Sequence, residues 1–92
     1  MSAPSLSVVI PTRNYGHYLG SCLDALLTQS VLPDEILVVD DASSDDTPGI
    51  VRAAQHRDGR VRLLRLDQTV GLFGALDRGL EEARGDCLYL HS

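Results

Sequence analysis

The sequence predicts an α/β protein built on a parallel sheet with helices on both faces. Three observations carry this. Apolar residues alternate along the chain between short aliphatic runs and stretches at helical spacing, in the order β-α-β-α-β-α-β. The run Ile36 to Val39 is unbroken, which suits a strand buried on both sides. That run ends abruptly in two acids, Asp40 and Asp41, followed by a polar loop, Ser43 to Thr47. In open parallel sheets the carboxyl ends of the strands border the ligand crevice, so these acids stand where a ligand would bind.

Each element follows from local chemistry. Leu6 to Ile10 is the first strand, and Pro11, which cannot donate to a ladder, is expected to end it. Thr12, Arg13 and Asn14 form a polar loop. From Tyr15 to Gln29 the period becomes helical, with Leu19, Cys22, Leu23, Leu26 and Leu27 on one face. Ser30 to Pro33 breaks that helix, and Asp34 to Asp40 is the second strand. Pro48 suits the first turn of the next helix, capped by Asp46 or Thr47, with Ile50, Val51 and Ala54 as a thin apolar stripe. Arg57, Asp58 and Gly59 make a turn. Val61 to Leu66 is the third strand, and the interruptions at Arg62 and Arg65 mark it as an edge. A third helix runs from Gly71 or Leu72 to Ala83, with Leu72, Ala75, Leu76, Leu80 and Ala83 as its buried face and Gly85 as a left-handed cap. Cys87 to Leu90 is the fourth strand. Right-handed crossovers join the strands. No helix follows the last strand, so residues 1–92 read as a single domain from the front of a longer protein, with an apolar face open to self-association.

Composition narrows the function. Hydrophobic residues make up 43% of the chain, enough for a core. The formal charge of -5, with eight arginines and no lysine against thirteen acids, argues against a duplex nucleic-acid binder. Cys22 and Cys87 lie in apolar settings and read as reduced core thiols. No stretch reaches the roughly 20 apolar residues of a membrane span. The first residues lack the basic and apolar regions of a signal peptide, which makes the cytoplasm the expected location.

The candidate site is the pair of strand tips. Pro11-Thr12-Arg13-Asn14 ends strand one and Asp40-Asp41 ends strand two, so adjacent strands would bring them to one ligand. Asp40 is expected to order its loop by accepting backbone N–H bonds, which leaves Asp41 freer to accept from a ligand. Ser43 and Asp45 read as loop-internal acceptors. Gly71, opening the third helix, allows close approach to a phosphate. Tyr15, Tyr18 and Phe73 read as packing residues. His17, His56 and His91 are far apart and have no metal-ligand spacing. The first loop lacks the GxGxxG of dinucleotide-dependent oxidoreductases.

Four segments resemble the N-terminal, nucleotide-sugar-binding part of family 2 glycosyltransferases. They are Ser7 to Asn14, Leu26 to Ser30, Val39 to Thr47 with its Val-Asp-Asp-Ala-Ser-Ser-Asp-Asp-Thr, and Gly71 to Gly79 followed by Ala83-Arg-Gly-Asp86. The third is the most specific. The resemblance implies a three-layer α/β/α, Rossmann-like half-domain of the GT-A fold, with strands in the order 3-2-1-4. It implies nucleotide-binding roles for Pro11, Thr12, Arg13, Asn14, Asp40, Asp41 and Gly71. Pro11 and Arg13 would lie against base and ribose, Asp41 would accept from uracil or another base, and Gly71 would open the helix near the diphosphate. It further implies a nucleotide-diphospho-sugar donor, UDP-sugar first, and inverting transfer to an acceptor. A divalent metal, Mg2+ or Mn2+, would be held in the full-length protein by residues after the fourth strand. No catalytic or metal residue is expected within these 92 positions, and the fragment itself is expected to be inactive. The chain departs from the family pattern with Arg13 for Tyr, Ala42 for Gly, Thr69 for Asn, and Leu76-Asp77 for Arg-Asn. The alternative is a non-catalytic α/β interaction module that kept the sheet and lost the chemistry.

Overall fold

Strand β2 (Glu35–Asp40) is buried at every residue and has a neighbour on each side. In the computed structural model, which describes residues 6–28, 33–84 and 86–89, it pairs with β1 (Leu6–Thr12) and with β3 (Val61–Arg65). Strand β4 (Asp86–Tyr89) pairs with the far side of β1. All three pairings are parallel, and the sheet order is β3-β2-β1-β4, as expected.

The pleat sorts the core into two layers. Val8, Ile10, Ile36 and Val38 face helices α1 (Gly16–Leu27) and α2 (Thr47–Arg57), meeting Leu19, Leu23, Val51 and Ala54. Val9, Leu37 and Val39 face α3 (Gly71–Glu82), meeting Ala75. The connections from β1 to β2 to β3 step one way across the sheet, and α3 carries the chain back past them to β4. Right-handed crossovers then require α3 on the opposite face, and the reversal falls at β1. β3 is an edge strand, as its arginines predict.

The structure corrects three expectations. Strand β1 runs through Pro11 to Thr12, where Pro11 is opposite Val39. Successive residues of a strand point their backbone groups to alternate sides. Because the Thr12 carbonyl accepts from Asp41 N–H at 2.9 Å on the β2 side, Pro11 faces away, and its missing N–H does not interrupt that ladder. In α3, Leu72 and Leu80 are 38% and 42% exposed, while Ala75 and Gly79 are buried. The helix lies so close to the sheet that a Cβ on Gly79 would meet Val9 Cγ1 at 2.5 Å and Val39 Cγ2 at 2.8 Å. Small residues set the contact line and the leucines flank it. Finally, Tyr18 and Phe73 are exposed, at 70% and 77%, and do not pack in the core.

Helix α3 ends at Glu82, with Ala83 extended at φ -68° and ψ 142°; Gly85 lies outside the described residues. At the amino end of the sheet, buried Glu35 accepts from Ser7 Oγ at 2.9 Å, from Arg84 N–H at 3.0 Å and from Arg62. This clasp lies at the opposite end of the strands from the candidate site.

Candidate functional site

The parallel register places Thr12 opposite Asp40, so the first two strand tips lie side by side. Polar side chains then knit them together. Asn14 adopts the left-handed conformation, φ 57°, and donates its N–H to Ser43 Oγ at 2.9 Å. Its Oδ1 accepts from Ser44 N–H at 2.8 Å and from Asp45 N–H at 3.3 Å. Asp45 accepts from Gly16 N–H at 3.1 Å and from both the hydroxyl and the N–H of Thr47. Hydrogen bonding from the Thr47 hydroxyl, against some desolvation and with help from the two N–H groups and His17, holds Asp45 below the usual carboxylate range. Asp46 occupies the cap position of α2 without a side-chain cap bond. Asp45 satisfies the first turn in its place.

The paired acids divide their work. Asp40 is fully buried, accepts from Ser43 N–H at 3.0 Å, and pairs with Arg65 at 2.7 Å. It orders the loop, as its position at the strand end predicts. Asp41 is less free than the sequence predicts. It accepts from Val70 N–H at 2.7 Å, Thr69 Oγ1 at 2.8 Å and Gly71 N–H at 3.0 Å. Three of its roughly four acceptor sites are thus used. A carboxylate from β2 thereby caps α3, where its charge also suits the helix dipole. Gly71 has φ 83°, a conformation that glycine adopts without strain. Ala42, between the loop's anchor points, has φ 58° without that advantage.

A cleft of about 340 Å3 opens between the tips and the start of α3. Its walls include five of the seven predicted site residues: Pro11, Thr12, Arg13, Asp41 and Gly71. Asn14 and Asp40 are not among the lining residues and act behind the wall, through their bonds to the loop. Tyr15, Thr69, Leu72 and Ala75 complete the lining, and nothing in the sequence analysis placed them there. Tyr15 directly follows the first loop, and that adjacency was the available signal. Thr69, Leu72 and Ala75 flank the predicted Gly71 on the approach to α3 and its first turns, and that adjacency was likewise the available signal. One buried polar atom behind the wall, Thr12 Oγ1, stands without a partner among the described residues. Thr12 is 4% exposed. A buried orphan hydroxyl is costly unless something else satisfies it. The described residues bring no three His, Cys, Asp or Glu side chains together around a metal-sized site.

The sequence profile described as Glycosyl transferase family 2 matches residues 7–91. The chain belongs to this family. Among curated relatives, glycosyltransferase GlyG of Streptococcus pneumoniae serotype 4 is 37% identical over 81 residues, covering 88% of this chain and 27% of the relative. A PGL/p-HBAD biosynthesis glycosyltransferase of Mycobacterium tuberculosis is 33% identical over 88 residues, covering 96% of this chain and 34% of the relative. The chain therefore spans about a quarter to a third of these family 2 proteins. Among solved structures, S. aureus TarS 1-349 in complex with UDP superposes with a TM-score of 0.84 at 29% identity, over 96% of this chain and 27% of that one. The mannosyltransferase PcManGT of Pyrobaculum calidifontis, in complex with GDP-Man and Mn2+, gives 0.77 at 30% identity, over 92% and 26%. The fold is thus the GT-A arrangement of family 2 glycosyltransferases. No helix among the described residues is long and apolar enough to cross a membrane.

Proposed function

We propose that the cleft is the nucleoside subsite of a glycosyltransferase donor site, and that these 92 residues are the N-terminal nucleotide-binding part of a longer enzyme. The donor is a nucleotide-diphospho-sugar, UDP-sugar first, and the sugar passes to an acceptor with inversion. The observation that carries the reading is a cleft walled by five of the seven predicted residues, with the Asp41 carboxylate fixed on it by three donors. The remaining acceptor site of Asp41 is offered to an N–H or hydroxyl of a base or ribose. Cleft size also fits, since small-molecule sites begin near roughly 300 Å3. TarS, solved with UDP, and PcManGT, solved with GDP-Man and Mn2+, support a nucleotide as the kind of ligand.

Position in the cleft sets each residue's role. Pro11 and Arg13 flank the base and ribose, Asp41 bonds to them, and Thr12 completes the wall. Gly71 lets α3 approach the diphosphate. Asn14 and Asp40 hold the tips. Mg2+ or Mn2+ ligands and the catalytic base belong, in this reading, to the chain beyond β4, and the fragment alone is inactive. The protein works in the cytoplasm.

Titration calorimetry of the complete protein with UDP, GDP and a UDP-sugar, each with and without Mn2+, tests the proposal. Saturable binding of a nucleoside diphosphate is the expected result. No uptake of any of the three would leave the non-catalytic module as the better reading.

A further inference from the structure

We propose that Arg65, on the edge strand β3, is a positioning residue for the nucleotide cleft; this rests on the donor-site reading of that cleft. Arg65 is not part of the cleft wall. Its Nη1 donates to Asp40 Oδ2 at 2.7 Å, and its Nη2 donates to the Ser43 carbonyl at 3.3 Å. Asp40 in turn accepts from Ser43 N–H at 3.0 Å. The flanks of Ser43 are therefore gripped at both ends, the N–H by Asp40 and the carbonyl by Arg65. Ser43 Oγ accepts from Asn14 N–H at 2.9 Å, and Asn14 directly follows the wall residues Thr12 and Arg13. A continuous path of bonds thus runs from a half-exposed guanidinium on the sheet edge to the first strand tip.

The path matters because the loop needs external fixing. Ala42 and Asn14 both adopt the left-handed conformation, at φ 58° and 57°. Asparagine adopts that conformation readily, whereas alanine holds it only where its surroundings impose it. Ala42 also connects Asp41, on the wall, to Ser43. Without Arg65, Asp40 would be a fully buried carboxylate without its cation, and the Ser43 carbonyl would lose its tether. The loop could then relax from the left-handed turn, carrying Asp41 and the Asn14 latch with it. An arginine suits the task because its planar fork bridges two acceptors, which a lysine ammonium reproduces poorly.

The test uses the complete protein with UDP and Mn2+, in wild type, Arg65→Met and Arg65→Lys. Arg65→Met is expected to weaken UDP about tenfold, and Arg65→Lys by a smaller factor, the range expected when a support behind a binding group is removed. Amide resonances of Asn14, Ser43 and Ser44 should shift in both variants. Val51→Ala, on the buried face of α2 and not among the residues lining the cleft, serves as the control. It should lower thermal stability and leave UDP affinity unchanged. Wild-type affinity in a folded Arg65→Met overturns the proposal, as does a Val51→Ala variant that loses affinity in the same proportion to its melting shift. If Arg65→Met does not fold, Arg65→Lys decides, and wild-type affinity with unmoved amides overturns it. If wild type takes up no nucleotide, the functional reading falls and the positioning role falls with it; Arg65 variants that bind like a nucleotide-binding wild type sink only the latter.

Discussion

Replacing Thr12 with valine should raise stability and leave nucleotide affinity close to that of wild type, because the hydroxyl is enclosed by protein. Thr12 is 4% exposed at the end of β1, and its Oγ1 has no partner among the described residues. Burying a hydroxyl without a hydrogen bond costs about 1–3 kcal/mol by protein mutational data. Valine has nearly the same shape, keeps the β-branched stiffness that suits a strand, and removes that cost. The folded state of the unliganded protein should therefore gain about 1 kcal/mol or more. The Oγ1 atom has almost no accessible surface and shares its face of β1 with Val8 and Ile10, so a ligand in the cleft does not reach it, and Kd should change by less than about 2-fold. Urea unfolding at constant m-value measures the first effect, and calorimetric titration with UDP measures the second. A destabilised Thr12→Val would mean that the hydroxyl already has a partner. A Kd weakened about tenfold would mean that the hydroxyl turns out of its buried position to meet the ligand.

Asp41→Ala strips three bonds from the start of α3, so it should cost about 1–2 kcal/mol of stability as well as ligand affinity, measured together by melting and titration. Gly79→Ala should destabilise by about 1–3 kcal/mol, because the added methyl would overlap Val9 and Val39 in a buried contact; an unfolding curve like that of wild type would show that α3 can lift away. Burial opposes the charge of Glu35, but bonds from Arg84 N–H, Arg62 and Ser7 outweigh it and hold its carboxyl below the ordinary range. A depressed folded pKa means that its contribution is full above the unfolded value, near pH 4.3, and is lost as pH falls through the folded value. Asp58, held at about 2 chiefly by its hydrogen bond from Arg60, acts in the same direction at lower pH. Glu35→Gln should therefore flatten the acid side of the stability profile below about pH 5, and a profile unchanged from wild type would refute the clasp.

The layered fold was legible because β2 is buried on both sides and must read as an unbroken aliphatic run, and because three crossovers leave helical spacing between the strands. The meeting of the first two tips was legible for the same reason, since consecutive parallel strands are commonly neighbours. The face of α3 was not. Counting leucines favours Leu72 and Leu80, whereas the helix approaches the sheet along Ala75 and Gly79, where small size is what permits contact. A hydrophobic pattern weighs residues by apolar area and cannot register a residue chosen for having none. The partners of Asp41 were hidden for a related reason. Thr69, Val70 and Gly71 lie about thirty residues away along the chain, and only the return of α3 across the sheet brings their donors to the carboxylate.

That arrangement gives Asp41 two duties that cannot be separated. Its oxygens hold the N-terminus of α3 against β2, and its remaining acceptor site faces a cleft whose other wall is that same helix. A ligand bonding to Asp41 must therefore meet a carboxylate whose direction is already set by three protein donors. Such a group loses little rotamer freedom on binding, which favours affinity. The same three bonds make the cleft only as firm as the anchoring of α3. Thr69→Val, which removes the Thr69 Oγ1 bond and leaves the two backbone bonds, separates the duties: it should loosen the carboxylate without uncapping the helix. If orientation of Asp41 matters to binding, Kd should rise about 2- to 5-fold with a melting temperature close to that of wild type. An unaltered Kd would mean that the two backbone donors alone aim the carboxylate, and that Thr69 serves the helix and not the cleft.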